Sequence, residues 1–332
     1  MLIISKEKSV IHKGIAILMM IYSHLFFADN TALCVNSFYI NGEPLAKFFT
    51  YACNPVFYFL LLSGYGHAVC FYTKGISFKS EISRIVRLYI YYWVVLFFFL
   101  LIGHYYYPDD YPGSLSRFIW GVSAFYPYIG ALWFLLPYAC IALCSKYIII
   151  TVGKIGGFTS FSISLLLALM VIFFSKQIMS GPFLVILSFL GFIYPFVGGV
   201  FLYRTNIHFD YSSNNFAIMG MILIAFLVAG FFRRQFALLF PFLLLILFNF
   251  LSIKGKTKSL LIRFGKESMP MWMIHTIFCS YFFRNQLYSL KYPIVVYIVL
   301  VLISYFLSLV VDKIVCFLYR LKNKCLYPNE KY

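Results

Sequence analysis

The sequence predicts an all-α integral-membrane protein, a bundle of about ten transmembrane helices forming a single domain over residues 1–332. Three observations carry that prediction. The chain is 63% hydrophobic and 11% charged, with a mean hydropathy of +0.89, whereas soluble domains are nearer half apolar and a quarter charged. A soluble core formed by 332 residues cannot bury so much apolar surface. The apolar residues fall into runs near the length of about 20 residues that a helix needs to cross a bilayer. The basic residues cluster between those runs, as in proteins whose orientation is fixed by positive charge.

In chain order the runs lie near 10–28, 48–71, 86–104, 130–150, 160–176, 183–203, 215–232, 235–252, 268–287 and 292–318. The first contains HKGIAILMMIYSHLFF, residues 12–27. It is longer than the apolar part of a signal peptide, lacks a small-x-small cleavage site and is followed by further runs, so it reads as a retained helix. The second carries Ser63, Gly64 and Gly66, small residues that let helices or a ligand approach closely. The third opens from EISRIVRLYIYYW, 81–93. Only Arg233, Arg234 and Gln235 separate the seventh run from the eighth. The longest connections, about 29–47 and 105–129, fall on the side opposite the N-terminus. No internal repeat is visible, and no soluble domain is expected at either end.

Placing the N-terminus in the cytoplasm puts twenty of the 27 Lys and Arg residues in inside segments and seven in outside ones. The expectation is therefore a multi-pass cell-membrane protein with both termini cytoplasmic, the Arg233–Arg234 pair being its one local violation. The formal charge of +17 does not point to nucleic acid, because no basic stripe is interleaved with stacking aromatics. Eight cysteines are present without a CxxC or a Cys/His cluster, so no metal site is expected. KGKT at 254–257 is no phosphate loop, since Phe250 stands where the first glycine belongs.

Ionisable residues inside the apolar runs mark the candidate site. His24 follows Lys13 by eleven positions, roughly 16 Å along a helix axis. Lys13 then sits at the cytoplasmic mouth and His24 near mid-membrane, where an ionisable side chain is costly and therefore a functional candidate. The alternative is a neutral histidine serving only as a hydrogen-bonding partner between helices. In RFGKESMPMWMIHTIF, 263–278, His275 lies seven residues past Ser268, so two histidines on helices that start inside are positioned to face one cavity. Arg84 and Arg87, at i and i+3, suit an anion at the cytoplasmic surface because guanidinium offers phosphate a planar fork; a positive-inside anchor is the simpler alternative.

Together these stretches resemble the acyltransferase 3 family of membrane enzymes. The resemblance covers residues 12–278 and rests on five motifs in order. They are the basic residue and histidine separated by ten intervening positions (Lys13, His24), the SG turn late in the second helix (Ser63–Gly64), the RxxRL opening of the third (Arg84 to Leu88), the WFL of the fourth (Trp133 to Leu135) and the serine-to-histidine segment (Ser268 to His275). Two positions depart from the family pattern: Lys13 replaces the usual arginine, giving a point charge in place of a fork, and Trp272 replaces the usual tyrosine.

The resemblance implies O-acyl transfer, commonly of acetyl from acetyl-CoA to a glycan hydroxyl such as an O-antigen, capsule or lipid-linked sugar. It places Lys13, Arg84 and Arg87 at the anionic donor and His24 as the base. His275 would then orient the acceptor or stabilise the developing oxyanion. Direct attack is favoured over an acyl-histidine intermediate. A flippase or transporter of a lipid-linked glycan would show paired halves with broken helices, and neither is legible. A polysaccharide polymerase would show a larger, arginine-bearing outer loop, whereas the longest one here holds only Arg117. A purely structural subunit gives no reason for deep histidines.

Overall fold

The computed structural model describes residues 4–35, 38–175, 182–205, 215–232 and 237–326; Arg233, Arg234 and the other sequence features on the remaining residues lie outside this description. The chain is almost entirely helical. Its helices are α1 (Lys6–Phe26), α2 (Leu45–Thr50), α3 (Pro55–Lys74), α4 (Phe78–Tyr106), α5 (Leu115–Val122), α6 (Leu135–Ile155), α7 (Gly157–Ser175), α8 (Pro182–Arg204), α9 (Asn215–Phe232), α10 (Phe240–Phe250), α11 (Gly255–Lys266), α12 (Ser268–Cys279), α13 (Arg284–Tyr288) and α14 (Pro293–Leu326). Among the described residues, eight segments are long and apolar enough to cross a membrane. They correspond to eight of the ten predicted runs, α2 and α3 together making one and the turn Gly130–Phe134 adding to α6.

The other two runs form shorter helices. α10 has 11 residues and α12 has 12, roughly 16 and 18 Å against about 30 Å of hydrocarbon. The run containing α12 is a broken helix: it stops at Ser280 and resumes as α13. Backbone can break at membrane depth only where protein surrounds it, and nearly every residue of α12 is buried. Neither Gly nor Pro marks this break, so composition alone counts it as one continuous span. A further difference is α11, which falls in a segment expected to be a loop. Its Leu261, Phe264 and Gly265 are buried while its lysines face outward, the pattern of a helix lying along the bundle's basic end.

Glycines set the two closest helix crossings. A Cβ on Gly265 would lie 1.9 Å from the Val10 carbonyl oxygen, and one on Gly14 would lie 2.2 Å from that of Leu261. α11 is thereby pressed onto α1. Gly64 and Gly199 do the same for α3 and α8, at 2.0 Å from Phe196 O and 2.1 Å from Leu61 O. Gly64 is thus a packing residue, whereas its neighbours Ser63 and Gly66 line a cavity.

At the far end, Asn41 and Gly42 turn a short hairpin with positive φ (51° and 75°), the conformation that a two-residue loop between antiparallel strands requires. Arg117 braces the second long connection. It sits over the rings of Tyr126 and Tyr128, 4.7 and 4.1 Å from their centroids, and donates to the carbonyls of Tyr126 and Pro127.

Candidate active site

Eleven residues turn an ideal helix through just over three full turns, so Lys13 and His24 share one face of α1. Ser9 and Met20 lie on the same stripe. Ser9, Lys13 and Met20 line a cavity of about 410 Å³ whose other walls include Ser63, Gly66 and His67 of α3, Arg84 and Leu88 of α4, Phe134 and Tyr138, and Ser268, Met269 and Trp272 of α12. Its polar residues gather at the basic end. Met20, Phe134 and Trp272 lie at its deep end, with Phe134 and Trp272 meeting edge to face at 5.5 Å between centroids.

One turn beyond Met20 and Trp272 the two predicted histidines meet. His24 Nδ1 and His275 Nε2 are 2.7 Å apart, with the rings nearly parallel at 4.9 Å between centroids. The protons on this pair can be assigned. His275 Nδ1 faces the Met271 carbonyl oxygen at 3.2 Å; a carbonyl only accepts, so Nδ1–H donates. In a neutral ring His275 Nε2 is then an acceptor, and His24 Nδ1–H donates to it. The basic lone pair of His24 therefore lies on Nε2. Fully buried, His275 has spent both nitrogens, one donating and one accepting. Its ring is hydrogen-bonded to His24 on one side and to the Met271 carbonyl on the other, so both nitrogens are engaged within the bundle.

Lys13 and Arg84 both face the cavity. Arg84 is held by two buried partners that the spacing of the basic residues did not reveal: its Nη1 lies 2.5 Å from His67 Nε2 and 3.1 Å from Glu81 Oε2. His67 Nδ1–H donates to the Ser63 carbonyl at 2.8 Å, leaving Nε2 to accept from the guanidinium. Glu81 is 2% exposed, and its negative charge is paired with Arg84. The signal that could have found it is an acidic residue one turn before the arginine, on the face that α3 covers.

Arg87 lies elsewhere. An i, i+3 pair still differs by about 60° around the helix, and here that difference directs Arg87 away from the cavity. It lies near the ring of Tyr91, 6.0 Å from the centroid, and Tyr91 donates its hydroxyl to Asp312 of α14. His12, adjacent to Lys13 in sequence, also turns away: it is 2% exposed, with Nδ1 2.7 Å from the Tyr58 hydroxyl.

Arg84 and Glu81 give a prediction about stability. Arg84→Met strands a buried carboxylate, a cost of about 1–3 kcal/mol or more, so its melting temperature in detergent should fall. Adding Glu81→Gln to Arg84→Met should restore most of that stability. Thermal unfolding of the single and double variants checks both expectations.

Comparison with known proteins supplies one match. A family profile described as an acyltransferase domain matches residues 11–313. No curated protein and no solved structure matches significantly.

Proposed function

The chain belongs to the acyltransferase 3 family, and from that premise we propose that this membrane acyltransferase moves an acetyl group from acetyl-CoA to a hydroxyl of a surface glycan or lipid-linked sugar, with His24 as the base. The observation that carries this reading is the oriented histidine pair lying one turn past a cavity that holds Lys13 and Arg84. In this reading the basic end faces the cytoplasm, both termini lie inside, and the protein resides in the cell membrane. Acetyl-CoA arrives from that side. Its phosphates meet Lys13 and Arg84, and its slender acyl-pantetheine arm enters the cavity. Met20, with its flexible side chain, moves aside to let the thioester reach His24. The acceptor comes from the opposite face.

The chemistry follows from the proton positions. A sugar hydroxyl attacks the thioester carbonyl carbon while His24 Nε2 takes its proton. The resulting imidazolium keeps its Nδ1–H directed at His275, which holds the ring as a third group does in hydrolytic triads. The tetrahedral intermediate collapses as the carbon–sulfur bond breaks. The departing thiolate recovers the proton from His24, leaving an O-acetyl ester and free CoA.

Inside-out membrane vesicles, which carry the cell's own acceptor, test the reading. With acetyl-CoA labelled in the acetyl group, vesicles containing the protein should transfer label to glycan and release CoA in equal amounts. Label movement without thioester cleavage would mark a carrier and overturn the proposal.

A further inference from the structure

We propose that the indole N–H of Trp272 and the hydroxyl of Thr276 form the oxyanion hole of this site, receiving the negative charge that develops on the thioester oxygen. The inference rests on the acyl-transfer reading and deepens it. That reaction needs donors aimed at the carbonyl oxygen as its π electrons move onto it. His275 cannot serve, because its single N–H is committed to Met271 O. The donors must come from elsewhere near the pair.

Two side-chain donors on α12 have no hydrogen-bond partner. Trp272 Nε1 and Thr276 Oγ1 are both buried and both unpartnered among the described residues. The residues are 7% and 2% exposed. A buried donor without an acceptor costs about 1–3 kcal/mol, and such groups are rare enough that each asks for a reason. Threonine in a helix commonly turns its hydroxyl onto the carbonyl one turn earlier; Thr276 does not. The two residues are four apart and so share one face of α12. They bracket His275, and Trp272 lines the cavity that leads in from the basic end.

The chemistry of the two groups fits the task. An indole N–H donates and never accepts, so it offers nothing to the attacking hydroxyl's proton and everything to an anionic oxygen. A threonine hydroxyl donates through a rotor that follows the oxygen as the carbon becomes tetrahedral. Between them they would supply two donors on the turn of α12 that carries His275, the ring hydrogen-bonded to His24. When the intermediate collapses, the oxygen's electron pair re-forms the carbonyl and the thiolate leaves with the proton from His24, so no further reactant is needed.

The test exploits an opposition between stability and rate. Removing an unsatisfied buried donor should not weaken the fold, whereas removing a structural hydrogen bond should. Thr276→Val and Trp272→Phe are compared with Thr276→Ser, which keeps the hydroxyl, in inside-out vesicles given labelled acetyl-CoA. The expected result is a fall in maximal rate of about 10²-fold for each of the first two, with KM for acetyl-CoA within about twofold. The melting temperature of the near-isosteric Thr276→Val in detergent should be unchanged or raised, and Thr276→Ser should keep most of the rate.

Wild-type rates in Thr276→Val and Trp272→Phe would overturn the inference. So would a loss of rate in Thr276→Val that runs parallel to a loss of stability, or a Thr276→Ser variant as slow as Thr276→Val. His24→Ala in the same vesicles separates this outcome from failure of the underlying reading. If that variant is inactive while the two α12 variants are not, only the oxyanion assignment falls. If it transfers acetyl normally, or if the wild-type vesicles transfer none, the acyl-transfer reading falls and takes the inference with it.

Discussion

Replacing His24 with alanine should lower acetyl transfer by about 10²–10⁴-fold, the contribution expected of a positioned general base, while the protein still inserts into the membrane at a normal level. The expectation follows from the proton assignment at the histidine pair. His24 Nδ1 is engaged with His275 at 2.7 Å, so the ring is fixed in orientation and in tautomer, with its basic nitrogen on the other side. The mutation should change the maximal rate far more than KM for acetyl-CoA, because Lys13 and Arg84, the groups proposed to meet the donor, lie at the cavity's basic end. Vesicle assays with labelled acetyl-CoA, normalised to immunoblotted protein, check both numbers. A rise confined to KM would place His24 in donor binding instead.

The second large effect is expected at Lys13. This ammonium group shares the cavity with Arg84, and the buried carboxylate beside them, Glu81, is paired to the arginine. Two like charges facing one space with a single compensating charge favour an incoming anion. Lys13→Met keeps the length of the stem and deletes the charge. A hydrogen bond to a charged group contributes about 1.5–3 kcal/mol, so KM for acetyl-CoA should rise roughly tenfold to a hundredfold with little change in maximal rate. The wild-type KM should also rise with ionic strength, and the variant's should rise less. Lys13→Met is cleaner than any change at Arg84, because removing the arginine also strands Glu81. An unchanged KM would remove Lys13 from the donor site.

Much of this site was legible in the sequence, for physical reasons specific to each residue. Lys13 and His24 could be read because an ionisable group in an apolar run is expensive and because eleven residues return a helix to the same face. His275 could be read the same way, as a second costly ring on a helix starting from the same end. The contact between them could not, since they are 251 residues apart and only the packing of α12 against α1 brings them together. Arg84 and Arg87 looked equivalent by spacing. The 60° between them sends one to the cavity and the other toward Tyr91 and Asp312, a choice fixed by where α3 and α14 pack on α4. Glu81 was hidden for a related reason: the His67 ring that covers it, and that shares Arg84 with it, comes from another helix.

In the fold, apolar composition located every described span but missed where helices stop. The break after Cys279 is made by the burial that surrounds α12, and no breaker residue announces it. Trp272 carried a signal that pointed two ways. Replacing tyrosine with tryptophan removes a hydroxyl, yet it retains a donor, and that donor is one of the two on α12 that are buried without a partner among the described residues.

The central claim is that His24 and His275 act as one unit, with His275 serving only to hold and orient the base. A double-mutant cycle measures this directly, through maximal rates of acetyl transfer for His24→Ala, His275→Phe and the combined variant in vesicles at saturating acetyl-CoA. His275→Phe alone should cost roughly tenfold to a hundredfold, the rate equivalent of one lost orienting hydrogen bond. The combined variant should be no slower than His24→Ala. Losses that multiply would show that His275 contributes through a path of its own, and the two histidines would then not be a single catalytic unit.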